Sequence, residues 1–217
     1  MSEWWTYSLS DFLLFSQHTY FRLFELYNRA IWPGQIAALA LGVGMLALGF
    51  RGGSWRGRAM AAILAACWLW VAWANLLIRY DTINWAARYF AIGFVIEAAL
   101  LIGSGLIRDG LRLRRSRDPA ALTGLGMVGV ALFLWPMIGL LFGRPMVQAE
   151  VFGVAPDPTV VATLGIILAA ERARWELLVI PLLWCAISGA TLWTMESPGA
   201  FLLPAVALTA IVVSVRK

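Results

Sequence analysis

Apolar residues along this chain come in blocks of about bilayer length, separated by short polar stretches rich in arginine. Six blocks are clear: Ile31 to Phe50, Met60 to Ile78, Ala86 to Ile107, Leu122 to Phe142, Leu177 to Met195 and Phe201 to Val215. Each is roughly 15 to 22 residues, the length a helix needs to cross a hydrocarbon layer. A seventh, Thr159 to Ala170, is shorter. It gives about 18 Å of helix against about 30 Å of hydrocarbon, so it either spans with snorkelling ends or re-enters.

The first thirty residues follow a different rhythm. Between positions 8 and 30, Phe12, Leu13, Leu14, Phe15, Phe21, Leu23, Phe24 and Leu26 alternate with Asp11, His18, Arg22, Glu25 and Arg29. This is the pattern of an amphipathic helix lying in the membrane interface, capped by Ser10 or Asp11. Trp4, Trp5, Tyr7, Tyr20 and Tyr27 suit the headgroup layer, and Pro33 marks the turn into the first span. The expected organisation is an interfacial segment over 1–30 and a transmembrane bundle over 31–217. The N-terminus has no basic region followed by a small-residue cleavage site, so no removable signal peptide is expected.

Composition agrees with the blocks. The chain is 61% hydrophobic and 13% charged, with a mean hydropathy of +0.78, more apolar surface than a soluble fold of this size can hide. Seventeen basic residues against twelve acidic ones would point to nucleic acid in a soluble protein. Here the charges sit between apolar blocks and fix topology instead. With seven spans, one side collects Arg51, Arg56, Arg58, Arg108, Arg112, Arg114, Arg115, Arg117, Arg172, Arg174, Arg216 and Lys217, twelve in all, against five on the other. If Thr159 to Ala170 does not span, the split becomes eight to nine. The fold class expected is therefore all-α, a polytopic helical bundle of about seven spans, with its N-terminus outside and its C-terminus cytoplasmic.

Few residues offer chemistry. Glu97 lies mid-way along the third span, where an ionised side chain costs about 2.5 to 3.5 kcal/mol to insert. It reads as a proton-linked or cation-binding carboxylate, or as a neutral Glu hydrogen-bonded to a neighbouring helix. Asn75 lies in the second span. Ala155-Pro156-Asp157-Pro158-Thr159 opens the short fifth helix, with Asp157 able to cap it and Pro158 at its first position. Such a helix can turn its positive end towards a ligand, as in transporters with broken helices, or can be a capped, tilted span. Glu97, Asn75, Asp157 and Thr159 are thus the candidates for a ligand or ion pathway. Arg79, Asp81, Asn84 and Arg88 crowd one short outer loop and form either a vestibule for a polar ligand or ordinary interface anchors. Pro136 and Pro181 free backbone carbonyls inside spans, more often a packing device than a gate.

Several cofactor classes are argued away. Lys217, the only lysine, lies at the C-terminus, so no intramembrane Schiff base forms. His18 is the sole histidine, and Cys67 and Cys185 sit in apolar blocks, so neither haem, copper nor a thiol metal site is expected. No protease motif occurs either. No cofactor and no metal are assigned, and the sequence points away from an enzyme. The partners it implies are the lipid bilayer, anionic lipid at Arg108, Arg112, Arg114, Arg115 and Arg117, and a homo-oligomer or other membrane subunits. Nucleic acid is not among them.

Ser10-Asp11-Phe12-Leu13-Leu14-Phe15-Ser16, Leu26-Tyr27-Asn28, Ile83-Asn84-Trp85-Ala86-Ala87 and Leu183-Trp184-Cys185-Ala186-Ile187-Ser188-Gly189-Ala190 together resemble a bacterial family of uncharacterised integral membrane proteins, a domain of unknown function. The resemblance runs over nearly the whole chain and implies a bacterial inner membrane but no activity. It also marks two departures: family members carry a Cys where this chain has Asp157, and a neutral amide near Glu97. Neither a thiol nor a proton role is therefore carried over. Two functions remain, a small-solute or ion transporter or channel, and a non-catalytic accessory or assembly subunit of a larger membrane complex.

Overall fold

The computed structural model describes residues 15–51, 53, 55–114, 118–172 and 174–216. An N-terminal helix α1 (Gln17–Ile31) precedes α2 (Gly34–Phe50), α3 (Arg56–Trp70), α4 (Ala87–Leu100), α5 (Pro119–Gly129), α6 (Trp135–Leu141), α7 (Pro156–Ala169), α8 (Val179–Thr194) and α9 (Leu202–Val215). No strand is formed among the described residues, only an isolated bridge between Leu113 and Ala170. The architecture is the expected all-helical bundle.

Three spans are longer than their α-helical parts because each changes to a wider, π-helical winding. It covers Val71–Leu77 after α3, Leu101–Ile107 after α4 and Val130–Leu134 between α5 and α6. The last has a visible cause in Pro136, which lacks the N–H a regular turn would use and whose ring would crowd the carbonyl of Leu132. The chain widens just before it, and Trp135 N–H bonds back to Val130 O. Pro181 frees less than expected, because it falls in the first turn of α8, where the amides have no intrahelical partner in any case.

Four helical runs are individually long and apolar enough to cross a membrane: Arg56–Thr82, Ala87–Ile107, Pro119–Leu141 and Trp175–Thr194. Helices α1 and α2 qualify only as a pair, bent by 91° at Trp32 and Pro33, while α7 and α9 are shorter apolar helices. The bend lays α1 across the direction of α2, as an interfacial helix would lie. Helix α1 is capped by Ser16, which accepts from Thr19 N–H at 3.3 Å; Ser10 and Asp11, the expected caps, lie outside the described residues.

Loop contacts sort the chain into two ends. At one, Arg56 donates to the carbonyls of Arg51 (2.6 Å), Leu113 (2.9 Å) and Arg114 (3.2 Å). There too, Arg114 N–H bonds to Ala169 O at 2.9 Å and Glu171 N–H to Arg112 O at 2.7 Å. At the other end, Asn28 of α1 donates to the carbonyls of Val147 and Ala149, and the Tyr20 ring meets Tyr80 edge-on. The chain therefore alternates between ends at every helix from α2 on, α5 and α6 counting as one, and α7 joins one end to the other.

Side chains divide accordingly. Ile36, Leu41, Trp73, Ile92, Ile96, Leu134, Leu183 and Leu208 face outward as an apolar girdle. Trp32, Trp55, Trp85 and Trp175 stand exposed near helix ends, where amphipathic rings settle in a bilayer. Every residue of α7 is buried. The helix is the axis of the bundle, and Gly124 of α5 and Gly165 of α7 let the two backbones touch, each glycine standing against the other's carbonyl.

Candidate functional site

The densest group of buried polar side chains lies where α7 begins. Helix α7 starts two residues earlier than the sequence pattern predicts: Pro156 occupies its first position, and Ala155 is an N-cap without a side-chain bond. Asp157 therefore does not cap. Its carboxylate turns to α8, accepting the Trp184 indole N–H at Oδ1 (2.7 Å) and the Ser188 hydroxyl at Oδ2 (3.0 Å). Both donors come from one face of α8, four residues apart, as helical spacing requires.

Glu150, in the loop before α7, faces the same small cavity as Asp157. Arg144 approaches Glu150 at 3.6 Å and lies 3.8 Å over the Phe21 ring of α1, holding that interfacial helix against the bundle. The Trp135 indole N–H reaches Glu150 Oε2 at 3.5 Å. Burial pushes the Glu150 carboxyl above its ordinary range, and the guanidinium of Arg144 pulls against that. Phe21, Trp135, Arg144, Glu150, Asp157 and Ser197 line a cavity of about 20 Å³, room for about one water.

The other pathway candidates are placed apart from this cluster. Thr159 is committed to the backbone, accepting from Gly153 N–H (2.9 Å) and donating to Ala155 O (2.7 Å). Asn75 is buried in the π-helical end of the α3 span, its amide nitrogen without a partner among the described residues. Glu97 has no exposed surface at all, and neither of its carboxyl oxygens has a hydrogen-bond partner among the described residues. One turn earlier on α4, Phe94 packs against Trp68 with centroids 4.2 Å apart and against Trp184 at 5.0 Å. Trp68 in turn donates to Thr163 of α7 at 2.8 Å.

The outer-loop candidates are largely occupied with one another. Arg88 forks onto Asp81 through Nε–Oδ1 (2.8 Å) and Nη2–Oδ2 (3.0 Å), and Asn84 Oδ1 accepts from Ala86 N–H at 3.0 Å, shaping the entry into α4. Arg79 is half-buried, and its carbonyl accepts from the Thr82 hydroxyl at 2.6 Å. Of the basic loop, Arg114 is tied to Asp118 and to the carbonyls of Ala170 and Glu171, while Arg115 and Arg117 lie outside the described residues.

Sequence reasoning missed Arg144, Glu150, Trp135, Trp184 and Ser188 as members of a site. One signal was available: Glu150 is the only charge between Arg144 and Asp157, a carboxylate in an otherwise uncharged approach to a Pro-started helix.

A helical bundle with an apolar girdle, buried carboxyls and two differently charged ends is an integral membrane protein. The chain belongs to a family of unknown function (DUF6064), which matches residues 17–217. No curated protein matches the chain, and no solved structure does.

Proposed function

We propose that this protein is a small proton-linked transporter of an ion or small solute in the bacterial inner membrane, with Glu97 as its mid-membrane proton carrier. One observation carries the reading: a carboxyl with no exposed surface and, among the described residues, no partner for either oxygen, in the middle of a membrane helix. Such a group is expensive and persists where something uses it. The Glu150–Asp157 pair at the α1 end supplies a second proton-holding position, and the π-helical windings of the α3 and α4 spans are the irregularity that functional sites in helices tend to carry.

The test is flux. Purified protein in liposomes loaded with a pH-sensitive dye should dissipate an imposed proton gradient faster than empty liposomes, and Glu97→Gln should abolish the difference while keeping the fold. Equal rates for wild type and Glu97→Gln, or no flux above empty liposomes, would end the proposal.

A second reading, an accessory subunit of a larger membrane complex, draws on the tight interior: the aromatic packing of Trp68, Phe94 and Trp184 and the one-water cavity leave little room for a solute in this conformation. Mild extraction from the native membrane and mass analysis of the particle separates the two. A reproducible complex with other proteins favours the subunit.

A further inference from the structure

We infer that the arginine-rich end carries a binding site for a phosphate ester bearing hydroxyl groups, enclosed between the loop after α4 and the loop after α7. A cavity of about 200 Å³ opens there, lined by Arg108, Arg112, Arg172 and Arg174 together with Asp109 and Glu171.

The two loops are fixed to each other before any ligand arrives. Glu171 N–H bonds to Arg112 O at 2.7 Å and Arg114 N–H to Ala169 O at 2.9 Å, and Arg174 Nε donates to Gly110 O at 3.1 Å. Gly110 is required at that point, because any side chain there would run into Ser104 O and the Arg174 guanidinium. A site built from prearranged groups loses little freedom on binding.

Charge accounting leaves the cavity positive. Asp109 is shared by Arg112 (3.1 Å) and Arg58 (3.5 Å), and Arg174 reaches Glu176 at 3.5 Å. Among the described residues Arg108 and Arg172 have no ion-pair partner. Four guanidiniums against two carboxylates leave an excess of two positive charges for an anion, and the planar forks of arginine match phosphate oxygens. The carboxylates of Asp109 and Glu171 only accept hydrogen bonds. A bare anion meets them with repulsion, whereas a phosphate carrying a polyol presents hydroxyls for them to accept.

Arg108 directly follows the π-helical end of the α4 span, so the cavity sits at headgroup depth. The same chemistry has two sources, a phosphatidylglycerol headgroup or a soluble glycerol phosphate, and one experiment distinguishes them. The full chain is placed in phosphatidylcholine nanodiscs, in one arm with a minor fraction of phosphatidylglycerol and counted by native mass spectrometry, in the other titrated with glycerol 3-phosphate by calorimetry. The site predicts retained phosphatidylglycerol if the lipid is the source, or saturable glycerol phosphate binding if the soluble ester is. Either should weaken on the order of tenfold in Arg108→Gln/Arg172→Gln, two exposed side chains with no ion pair among the described residues, and hold in Arg79→Gln at the opposite end. No binding in either arm, or equal binding by wild type and the double variant, overturns the site.

Discussion

Trp184 gives its indole N–H to Asp157 at 2.7 Å, so that a carboxylate at the start of the central helix is held by a ring from the next helix in the chain. Both partners are nearly enclosed, at 5% and 2% exposure. Replacing Trp184 by Phe keeps an aromatic body against Phe94 but removes the donor. Its expected cost is about 1 to 3 kcal/mol, the range for leaving a buried polar group unsatisfied. Thermal unfolding in detergent reads this directly, with Ser188→Ala, which spares the indole bond, losing less.

Glu97 invites the opposite outcome. Leucine at position 97 removes two unpartnered oxygens from the interior and fills similar space, so Glu97→Leu should raise the unfolding midpoint while removing any proton-linked activity. A gain in stability together with intact flux would separate the carboxyl from function.

The meeting of α5 and α7 can be tested at one atom's resolution. A methyl group on Gly165 points at the Gly124 carbonyl, whereas one on Gly126, two residues along α5, meets nothing within 4 Å. Gly165→Ala should destabilise by about 1 to 3 kcal/mol through overpacking, and Gly126→Ala should be neutral or slightly stabilising. Equal midpoints for the two variants would contradict the helix contact.

Asp118 should give the basic end an acid limb. Its partial burial raises the carboxyl, but the Arg114 guanidinium at 3.0 Å and the amides of Ala120 and Ala121 outweigh that and hold it below its usual range. Because the folded form is the better acid, the stabilisation is complete above the free aspartate value of about 3.9 and fades as pH falls through the folded one. Unfolding midpoints taken from about pH 5 down to about pH 3 should fall less steeply in Asp118→Asn, which still caps α5 but carries no charge to lose.

The spans were legible because they depend on one property, the length of an apolar block, which a sequence displays without reference to any partner. Met60 to Ile78 is found within Arg56–Thr82 and Ala86 to Ile107 as Ala87–Ile107. Positions 159–170 were ambiguous by length, and what places their two ends is contact with other elements: Ala169 O with Arg114 N–H at one, and the preceding loop, through Ala149 O, with Asn28 of α1 at the other. Glu97 could be singled out because a charge in such a block is conspicuous. The Arg144–Glu150–Asp157 cluster could not, because its members read locally as loop charges and a helix cap. Their significance arises from α8, 27 to 31 residues further on, and from α1, whose Phe21 meets Arg144. A shift of two residues, Pro156 rather than Pro158 opening α7, turns Asp157 from a cap into a tertiary ligand of Trp184.

A fourteen-residue helix is about 21 Å long and ought to strain a bilayer about 30 Å thick. Helix α7 escapes that difficulty because no acyl chain reaches it: its solvent is the other helices. Membranes of different thickness can therefore tilt or compress the outer helices while the axis of the bundle, with Asp157 at its head, keeps its length and its neighbours.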